Sequence, residues 1–261
     1  MASPDPDAAL RAYAEIAPYY NAFAADPDYG AWMGLLHGIV QRHGPAGKLL
    51  LDAGCGTGLS SVRFADLGYA VTGVDAVPEM LDQARADPAN EGIDFRHGDL
   101  RDLPAFGAFD VAVCTNQPLH YMDGEQGLRA AFAGLARNLA PGGILVFDML
   151  TARTWERQAA GPKVRDRGAN ITLWRTEIGA AFPATSPVRQ NMDLFVRRAD
   201  GAWTRVSTVH PYHHFPDRAV RAALAESGFE PLGADGFRAG AAHEGLDEEH
   251  DVLGLYAARR V

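Results

Sequence analysis

The feature that most constrains the fold is a glycine-rich segment between a buried apolar strand and an amphipathic helix. It reads Leu-Leu-Leu-Asp-Ala-Gly-Cys-Gly-Thr-Gly over residues 49–58, and the next apolar strand ends at Asp75. Glycines in such a loop let the backbone turn sharply and approach a ligand, and the following helix N-terminus offers unpaired N–H groups. An acid at the end of the second strand can accept hydrogen bonds from ribose hydroxyls. The segment therefore predicts a nucleoside site on an α/β sheet.

Strands and helices continue to alternate after this segment. Further apolar strands are predicted at Ile93–His97, Phe109–Thr115 and Ile144–Asp148, and a helix over Gln126–Leu139 precedes the last of them. Strand–helix–strand units of this spacing connect parallel strands through right-handed crossovers. Before the first strand, residues 7–43 predict two helices that are interrupted around Asp26-Pro27. We therefore expect an α/β fold that begins with a helical segment.

The pattern changes to a two-residue period in the second half of the chain. Three long strands are predicted there: Ile171–Phe182, Val188–Arg198 and Trp203–His214. They indicate an antiparallel insertion, after which a helix and a final strand return to the main sheet. We expect one domain over residues 1–261, with a lid (8–45), a cofactor-binding half (46–150), an antiparallel insertion (151–215) and a C-terminal return (216–261).

Composition and charge exclude several classes of protein. Lys and Arg number 24 against 33 Asp and Glu, which gives a net charge of −9. This disfavours a non-specific nucleic-acid binder, whose affinity comes from neutralising phosphates. No apolar run approaches the roughly 18 residues that span a bilayer, the N-terminus lacks a secretory apolar segment, and two cysteines are too few for a disulfide framework. We expect a soluble cytoplasmic protein without nucleic-acid or membrane partners, and homo-oligomer formation stays open.

Two details of the glycine loop discriminate between nucleotide cofactors. A dinucleotide fingerprint has a third glycine where this chain has Leu59. Asp52, two residues before Gly54, would repel a pyrophosphate but suits a ligand that carries an ammonium group. S-adenosylmethionine is such a ligand, because it has an α-amino group, a cationic sulfonium and no phosphate. These details disfavour an NAD-dependent dehydrogenase, and a glycine turn that binds no ligand is the remaining alternative.

The sequence resembles the class I S-adenosylmethionine-dependent methyltransferases. The matching stretches are Leu-Leu-Asp-Ala-Gly-Cys-Gly-Thr-Gly, Val-Thr-Gly-Val-Asp-Ala-Val-Pro-Glu-Met-Leu, Gly-Asp-Leu at 98–100, Phe-Asp-Val-Ala-Val-Cys at 109–114 and Leu-Ala-Pro-Gly-Gly at 139–143. The resemblance implies a Rossmann-like, doubly wound, seven-stranded sheet with an inserted antiparallel β platform and an N-terminal helical lid. It places the cofactor over Gly54 and Gly56 and the cofactor's ribose on Asp75. Further cofactor contacts are implied for Ala76, Met80, Asp99, Leu100 and Thr115.

The N-terminal pattern Tyr-x-x-x-Ala-x-Tyr-Tyr-x-x-Phe resembles the glycine N-methyltransferase-like group. That group includes sugar N,N-dimethyltransferases and other small-molecule N-methyltransferases of antibiotic pathways. The resemblance implies a lid over the cofactor, with Tyr20 at the cofactor and the reacting groups, and Tyr13 facing the acceptor. Tyr29 and Trp32 fall where the family reaches the methionine carboxylate, although a Trp in the core fits Trp32 nearly as well. Asn21 stands where the family usually has Asp.

The loop after the fourth strand, Thr115–Tyr121, is expected beside the transferring methyl group. Asn116 could orient an amine there, and Tyr121 could face the acceptor. His120 is the leading candidate for a general base, because the ordinary pKa of histidine lies near neutrality. The alternative for His120 is a histidine that caps the next helix or bonds a loop carbonyl. His214 is a further candidate for an acceptor contact.

The histidines near the end of the insertion do not predict a metal site. His213 and His214 are adjacent on a predicted strand and would point to opposite faces, and no cysteine pair completes a ligand set. The sequence thus predicts methyl transfer from S-adenosylmethionine to a nitrogen of a small metabolite, in secondary metabolism. Two alternatives stay open, namely a small-molecule O-methyltransferase and a non-catalytic S-adenosylmethionine-binding protein.

Overall fold

The computed structural model describes residues 7–24 and 29–261. The α-helices within these ranges are α1 Ala8–Ile16, α2 Tyr20–Ala24, α3 Tyr29–Arg42, α4 Leu59–Asp66, α5 Pro78–Ala86, α6 Gly124–Asn138, α7 Ala152–Ala159 and α8 Asp217–Glu226. The strands are β1 Leu49–Ala53, β2 Ala70–Asp75, β3 Asp94–His97, β4 Phe109–Cys114, β5 Leu139–Leu150, β6 Lys163–Asp166, β7 Asn170–Ile178, β8 Ser186–Arg197, β9 Trp203–His214, β10 Phe229–Arg238, β11 Ala241–His243 and β12 Leu253–Arg260.

The main sheet has eight strands in the order β11-β10-β12-β5-β4-β1-β2-β3. The five strands from β3 to β5 pair in parallel, whereas β12 runs antiparallel to both β5 and β10. This mixed sheet confirms the predicted Rossmann-like α/β fold. The sheet has one strand more than predicted, because the three-residue β11 folds back onto the end of β10. Such a short edge strand leaves no two-residue apolar pattern in the sequence.

Helices cover both faces of the main sheet, which explains why its central strands are continuously apolar. Successive residues of β4 show this: Val111 and Val113 pack into the cluster with α3 and α4, and Ala112 and Cys114 into the cluster with α6 and α8. Both clusters consist of buried side chains. The carboxyl ends of β1, β2 and β4 therefore meet at one rigid edge, where α/β sheets bind ligands.

A separate antiparallel sheet, here called the platform, has the order β6-β7-β8-β9. It confirms the predicted antiparallel insertion, with β7 ending at Ile178 rather than at Phe182. Strand β6 and helix α7 were not predicted. Three of the four β6 residues are exposed, and α7 buries only Trp155, so neither segment carries an apolar period.

The N-terminal helices lie between the platform and the main sheet. Helix α1 packs along β9, and a 3-10 helix over Ala17–Tyr19 connects it to α2. The Thr57 hydroxyl donates to Asn21 Oδ1 at 2.5 Å, and Asn170 Nδ2 of the platform donates to the Ala22 carbonyl at 2.8 Å. The lid is thus tied to both sheets. The predicted break at Asp26-Pro27 lies outside the described residues, and none of the helices described is both long and apolar enough to cross a membrane.

Candidate active site

The glycine loop after β1 forms the floor of a cavity. Gly54 and Gly56 have φ angles of 79° and 55°, and a Cβ on Gly54 would lie 2.6 Å from the Pro118 ring. Asp75 at the end of β2 fixes this loop, because its Oδ2 accepts the Gly56 N–H at 2.8 Å and its Oδ1 accepts the Val77 N–H at 2.9 Å. Only glycine fits the backbone at Gly54, where φ is positive and Pro118 is close.

The cavity above this floor has a volume of about 120 Å³ and is here called the cofactor cavity. The structure gathers around it most of the residues that the sequence assigns to the cofactor, namely Tyr20, Tyr29, Gly54, Gly56, Asp75, Ala76, Met80, Asp99, Leu100 and Thr115. They come from the lid, the glycine loop and the ends of three strands. Their individual contacts with a cofactor stay predictions.

Asp52 lies beneath the cavity rather than in its wall. Its Oδ2 accepts the hydroxyls of Ser60 and Ser61, each at 2.7 Å, whereas its Oδ1 is buried without a hydrogen-bond partner in the described parts of the chain. Burial raises the pKa of Asp52 to about 6. A buried carboxylate oxygen without a donor is costly, and the ammonium group of S-adenosylmethionine would supply one. The unpartnered acceptor at Asp52 therefore fits this cofactor.

Asp99 already has a strong partner at the edge of the cofactor cavity. Its Oδ1 accepts the Arg101 backbone N–H at 2.8 Å, and its Oδ2 accepts from Arg101 Nε and Nη2 at 2.8 and 2.6 Å. Arg101 also contacts Asp7 at the start of the lid, at 3.1 Å. The predicted contact of Asp99 with the adenine amino group would therefore share this carboxylate with Arg101.

A second cavity of about 270 Å³ lies between the lid and the platform and is here called the acceptor cavity. Its platform side carries the charged Arg165 and five further residues: Trp174, Gln190, Met192, His210 and Tyr212. No Asp or Glu occurs among the described residues that line it. Five residues line both cavities and form the wall between them: Tyr13, Tyr20, Tyr29, Leu59 and Asn116.

Asn116 reaches this wall from a tight turn after β4. The φ angles of Asn116 and Gln117 are 61° and 73°, in the left-handed region that non-glycine residues rarely adopt. Asp148 of β5 accepts both backbone N–H groups, that of Asn116 at 3.0 Å and that of Gln117 at 2.9 Å. The Asn116 side chain in turn donates to the Tyr29 hydroxyl at 2.9 Å.

A chain of hydrogen bonds connects the lid, the loop and the platform beside the wall. The Tyr121 hydroxyl lies 3.2 Å from that of Tyr13 and 2.8 Å from His210 Nδ1, and His210 Nε2 lies 3.0 Å from the Thr208 hydroxyl. Burial lowers the pKa of His210 to about 4 and raises that of Tyr13 and Tyr121 well above their ordinary value. These groups are therefore neutral near pH 7.

His120 does not reach either cavity, and the structure contradicts its predicted role as a general base. The ring is fully buried, with Nδ1 donating to the His213 carbonyl at 2.6 Å and Nε2 accepting the Leu150 N–H at 2.8 Å. Burial lowers its pKa to about 3. Both nitrogens are thus engaged with backbone groups, and neither is available to take a proton from an acceptor.

Two further predicted contacts are also wrong. Trp32 packs edge to face on Phe237, with ring centroids 5.2 Å apart, and belongs to the core rather than to the cofactor cavity. His214 is buried with its ring 5.0 Å from that of Phe182 and lines a groove beside α7 and α8, away from the acceptor cavity. No group of His, Cys, Asp and Glu in the described ranges is arranged to hold a metal ion.

Sequence reasoning missed Asp148, Gln190 and Tyr212, and assigned no role to His210. The two-residue period could have placed part of this set, because Gln190 pairs with His210 in register and Val188 with Tyr212. Residues that pair in this way share a face of a sheet. Nothing in the sequence showed which face of the platform would cover the acceptor.

The segment that contains the glycine loop and Asp75 is similar in sequence to known proteins. Residues 50–143 match the family model described as a methyltransferase domain. The cypemycin N-terminal methyltransferase of a Streptomyces species is 29% identical over 82% of this chain and 86% of its own length. The dTDP-3-amino-3,6-dideoxy-alpha-D-glucopyranose N,N-dimethyltransferase of Streptomyces fradiae is 31% identical over 51% of this chain and 52% of its own.

The fold has a close counterpart among solved structures. A crystal structure of an S-adenosylmethionine-dependent methyltransferase from Clostridium acetobutylicum matches this chain with a TM-score of 0.80 at 18% identity, covering 95% of this chain and 98% of that one. The matched family segment contains the features of the cofactor cavity described above: the glycine loop, Asp75 at the end of β2 and the unpartnered oxygen of Asp52. Residues 50–143 thus match a methyltransferase domain, and the chain as a whole has the fold of an S-adenosylmethionine-dependent methyltransferase.

Proposed function

We propose that this enzyme transfers the methyl group of S-adenosylmethionine to a nitrogen of a small molecule bound in the acceptor cavity, as a step in secondary metabolism. The observation that carries the proposal is the shared wall. Tyr13, Tyr20, Tyr29, Leu59 and Asn116 line both cavities, so a group in one cavity lies next to a group in the other only at this wall.

The absence of a base at the wall supports nitrogen over oxygen. An alcohol needs a general base to become nucleophilic, whereas an unprotonated amine already carries a free lone pair. The described lining of the acceptor cavity holds no carboxylate, and both ring nitrogens of its His210 are bonded to hydroxyl groups, those of Tyr121 and Thr208. His120 is engaged with backbone groups, and burial raises the pKa of Tyr20 and Tyr29 well above the ordinary tyrosine value. Two relatives whose names specify nitrogen acceptors, a peptide N-terminus and an amino sugar, support the same choice.

The residues of this chain position the two substrates and exclude water from the site of methyl transfer. When bound, the cofactor would supply an electrophilic methyl group, whose bond to the cationic sulfur breaks as the nitrogen lone pair forms the new C–N bond, so that the neutral thioether S-adenosylhomocysteine leaves. Asp52, Asp75 and the glycine loop would hold the cofactor, with residues 8–45 acting as the lid that excludes water. Asn116 and Tyr20 would orient the nitrogen at the wall, and the methylated ammonium would lose its proton to solvent after release.

The test uses matched acceptors that differ only at the reacting atom. The purified enzyme is incubated with methyl-labelled S-adenosylmethionine and pairs such as an amino sugar and its hydroxyl analogue, or a peptide with a free and with an acetylated N-terminus. Mass spectrometry should find label on the amine of at least one pair and on no alcohol. Asp75→Ala, which loses the hydrogen bonds that fix the glycine loop, serves as the low-activity control at a cofactor concentration near the dissociation constant of the wild type.

Two outcomes would overturn the proposal. Label on the alcohol members alone would make the enzyme an O-methyltransferase. Tight cofactor binding without label on any acceptor in a broad metabolite panel would favour a binding protein that transfers no methyl group.

A further inference from the structure

The turn that carries Asn116 is the most strained part of the described backbone. Among the described non-glycine residues, positive φ angles occur at Asn116, Gln117 and Ala239, so two of the three are consecutive and lie at the acceptor cavity. Such conformations cost free energy and persist only where the surroundings hold them in place. Strain of this kind concentrates at sites where a side chain must be aimed.

Asp148 holds this turn from the neighbouring strand. Cys114 at the end of β4 pairs in register with Phe147 of β5, so Asp148 stands one residue beyond the last pair and directly faces the turn. One of its oxygens accepts the Asn116 N–H and the other accepts the Gln117 N–H. Each backbone donor of the strained pair thus has its own carboxylate oxygen.

Asp148 is costly for the fold in other respects. Its side chain is only 1% exposed, burial raises its pKa to about 6, and none of the ion pairs formed by the described residues includes it. A buried carboxylate without a cationic partner lowers stability unless its hydrogen bonds compensate. Both hydrogen bonds of Asp148 hold one two-residue turn. This turn places the Asn116 side chain at the shared wall, where it is bonded to Tyr29.

We propose that Asp148 is a positioning residue for methyl transfer, which holds the left-handed turn at Asn116 and Gln117 so that Asn116 and Tyr29 meet at the wall between the two cavities. The inference rests on the proposed function only for the identity of the acceptor. It predicts that loosening the turn impairs the transfer step and leaves cofactor binding intact.

The first test combines Asp148→Asn with Gln117→Gly. In Asp148→Asn the side-chain shape is kept, but the amide offers one oxygen and turns an NH2 group toward the other backbone N–H. We expect kcat to fall about 30-fold to 100-fold, since a displacement of about 1 Å in an active site can cost 100-fold. The dissociation constant of the cofactor should stay within threefold, because Asp52 and Asp75 are untouched.

Glycine adopts positive φ without steric cost. Gln117→Gly should therefore partly compensate for the loss of the carboxylate that holds this turn. In the double variant kcat should recover about tenfold relative to Asp148→Asn alone. Full activity in Asp148→Asn, or a loss that Gln117→Gly does not relieve, would overturn the proposal. The second result would mean that the carboxylate acts through its charge rather than through the turn.

A matched control exists on the neighbouring strand. Asp110 of β4 also accepts a backbone N–H, that of Leu49 at 2.9 Å, but lines neither cavity. Asp110→Asn should therefore leave kcat within twofold. If Asp148→Asn does not fold, Gln117→Val replaces it, because a β-branched side chain strongly disfavours φ near 73°. Gln117→Val should be about tenfold slower in kcat than Gln117→Gly, since both variants lose the same side chain, and equal rates would contradict the account.

A second measurement needs no acceptor and separates this inference from the proposed function. Hydrogen–deuterium exchange of a peptide covering residues 115–121 should be faster in Asp148→Asn than in the wild type, and unchanged in Asp110→Asn. Unchanged exchange in Asp148→Asn would overturn the inference even if amines are methylated. If the wild type methylates only alcohols, the proposed function fails, and the kinetic comparison proceeds with the alcohol.

Discussion

The two cavities that meet at Asn116 are built from opposite kinds of chemistry. The cofactor cavity rests on backbone N–H groups, on the fully buried Asp52 and on Asp75, which is half-buried in the cavity wall. The acceptor cavity presents aromatic rings, neutral polar groups and the Arg165 guanidinium, and its described lining includes no carboxylate. Carboxylates and backbone N–H groups can therefore hold the cofactor, whereas aromatic rings, neutral polar groups and one guanidinium must position the acceptor.

This difference predicts which substitutions affect binding of the cofactor and which affect binding of the acceptor. Changes to the buried acids should alter cofactor affinity and its pH dependence. Changes to the aromatic platform should alter acceptor recognition and leave cofactor affinity nearly unchanged. A residue that connects the two halves of the fold outside both cavities should alter stability instead of either affinity.

The largest effect is expected at His120, which joins the loop of the cofactor half to β9 of the platform. His120→Ala leaves the His213 carbonyl and the Leu150 N–H without partners and opens a void beside Trp155 and Phe215. We expect the free energy of unfolding to fall by about 3 kcal/mol, because each buried unpaired group costs about 1–3 kcal/mol. Chemical denaturation measures this loss.

The exposed His250 provides the control for His120. It pairs only with Asp247 at the surface, so His250→Ala should change the unfolding free energy by less than about 0.5 kcal/mol. If His120→Ala unfolds at the same denaturant concentration as the wild type while its turnover collapses and loses an ionisation from the pH profile, His120 acts as a base after all.

The next largest effect is expected at Asp75, which fixes the glycine loop through the Gly56 and Val77 N–H groups. Asp75→Ala should weaken S-adenosylmethionine binding about 100-fold, since losing hydrogen bonds to a charged group costs about 1.5–3 kcal/mol. Titration calorimetry measures the affinity. The exposed Asp94 on the adjacent strand is the control, and equal affinities of the two variants would refute a role for Asp75.

A smaller effect is expected from pH. Because burial raises the pKa of Asp52 to about 6, its carboxyl is largely protonated at pH 5 and must lose a proton to pair with the ammonium group of the cofactor. Cofactor affinity should therefore fall as pH drops through 6, by about tenfold between pH 7 and pH 5. Asp52→Asn should bind more weakly at pH 7 and show a much flatter profile. A wild-type affinity that is flat over this range would contradict the pairing.

The smallest effect is expected on the aromatic platform. Trp174→Ala removes one ring from the acceptor cavity and should raise the acceptor KM about fivefold, equivalent to about 1 kcal/mol. Cofactor affinity should stay within twofold. Trp203, which is exposed on the same sheet and lines neither cavity, supplies the matched substitution. A larger change in cofactor affinity than in acceptor KM would break the division between the two cavities.

The cofactor half could be predicted from the sequence because its parts are close along the chain or occupy equivalent strand ends. Asp52, Gly54 and Gly56 belong to one short loop, and Asp75 ends the strand that pairs directly with β1. Parallel strands bring such residues to one edge whatever the rest of the fold does. Local pattern alone therefore predicted the glycine loop, Asp52 and Asp75, whereas the other residues of this cavity were predicted from the family resemblance.

The acceptor half depends on contacts between distant segments, which the sequence does not show. Trp32 lies one helical turn from Tyr29, yet Phe237 of β10 draws it into the core. His120 has the ordinary pKa of a base, but backbone groups of β5 and β9 bury and engage its ring. The sequence indicates only that Asp148 ends an apolar strand. Its role depends on the turn at Asn116 and Gln117, whose positive φ angles the residue types there do not predict.

The most direct test of the account is a crystal structure of the enzyme with S-adenosylmethionine bound. We expect the ammonium group above Asp52 and the sulfonium methyl within about 4 Å of Asn116, Tyr20 or Tyr29, facing the acceptor cavity. A methyl group that points away from this wall, toward solvent or into a region closed from the acceptor cavity, would contradict the claim that the two cavities meet where the methyl group is transferred.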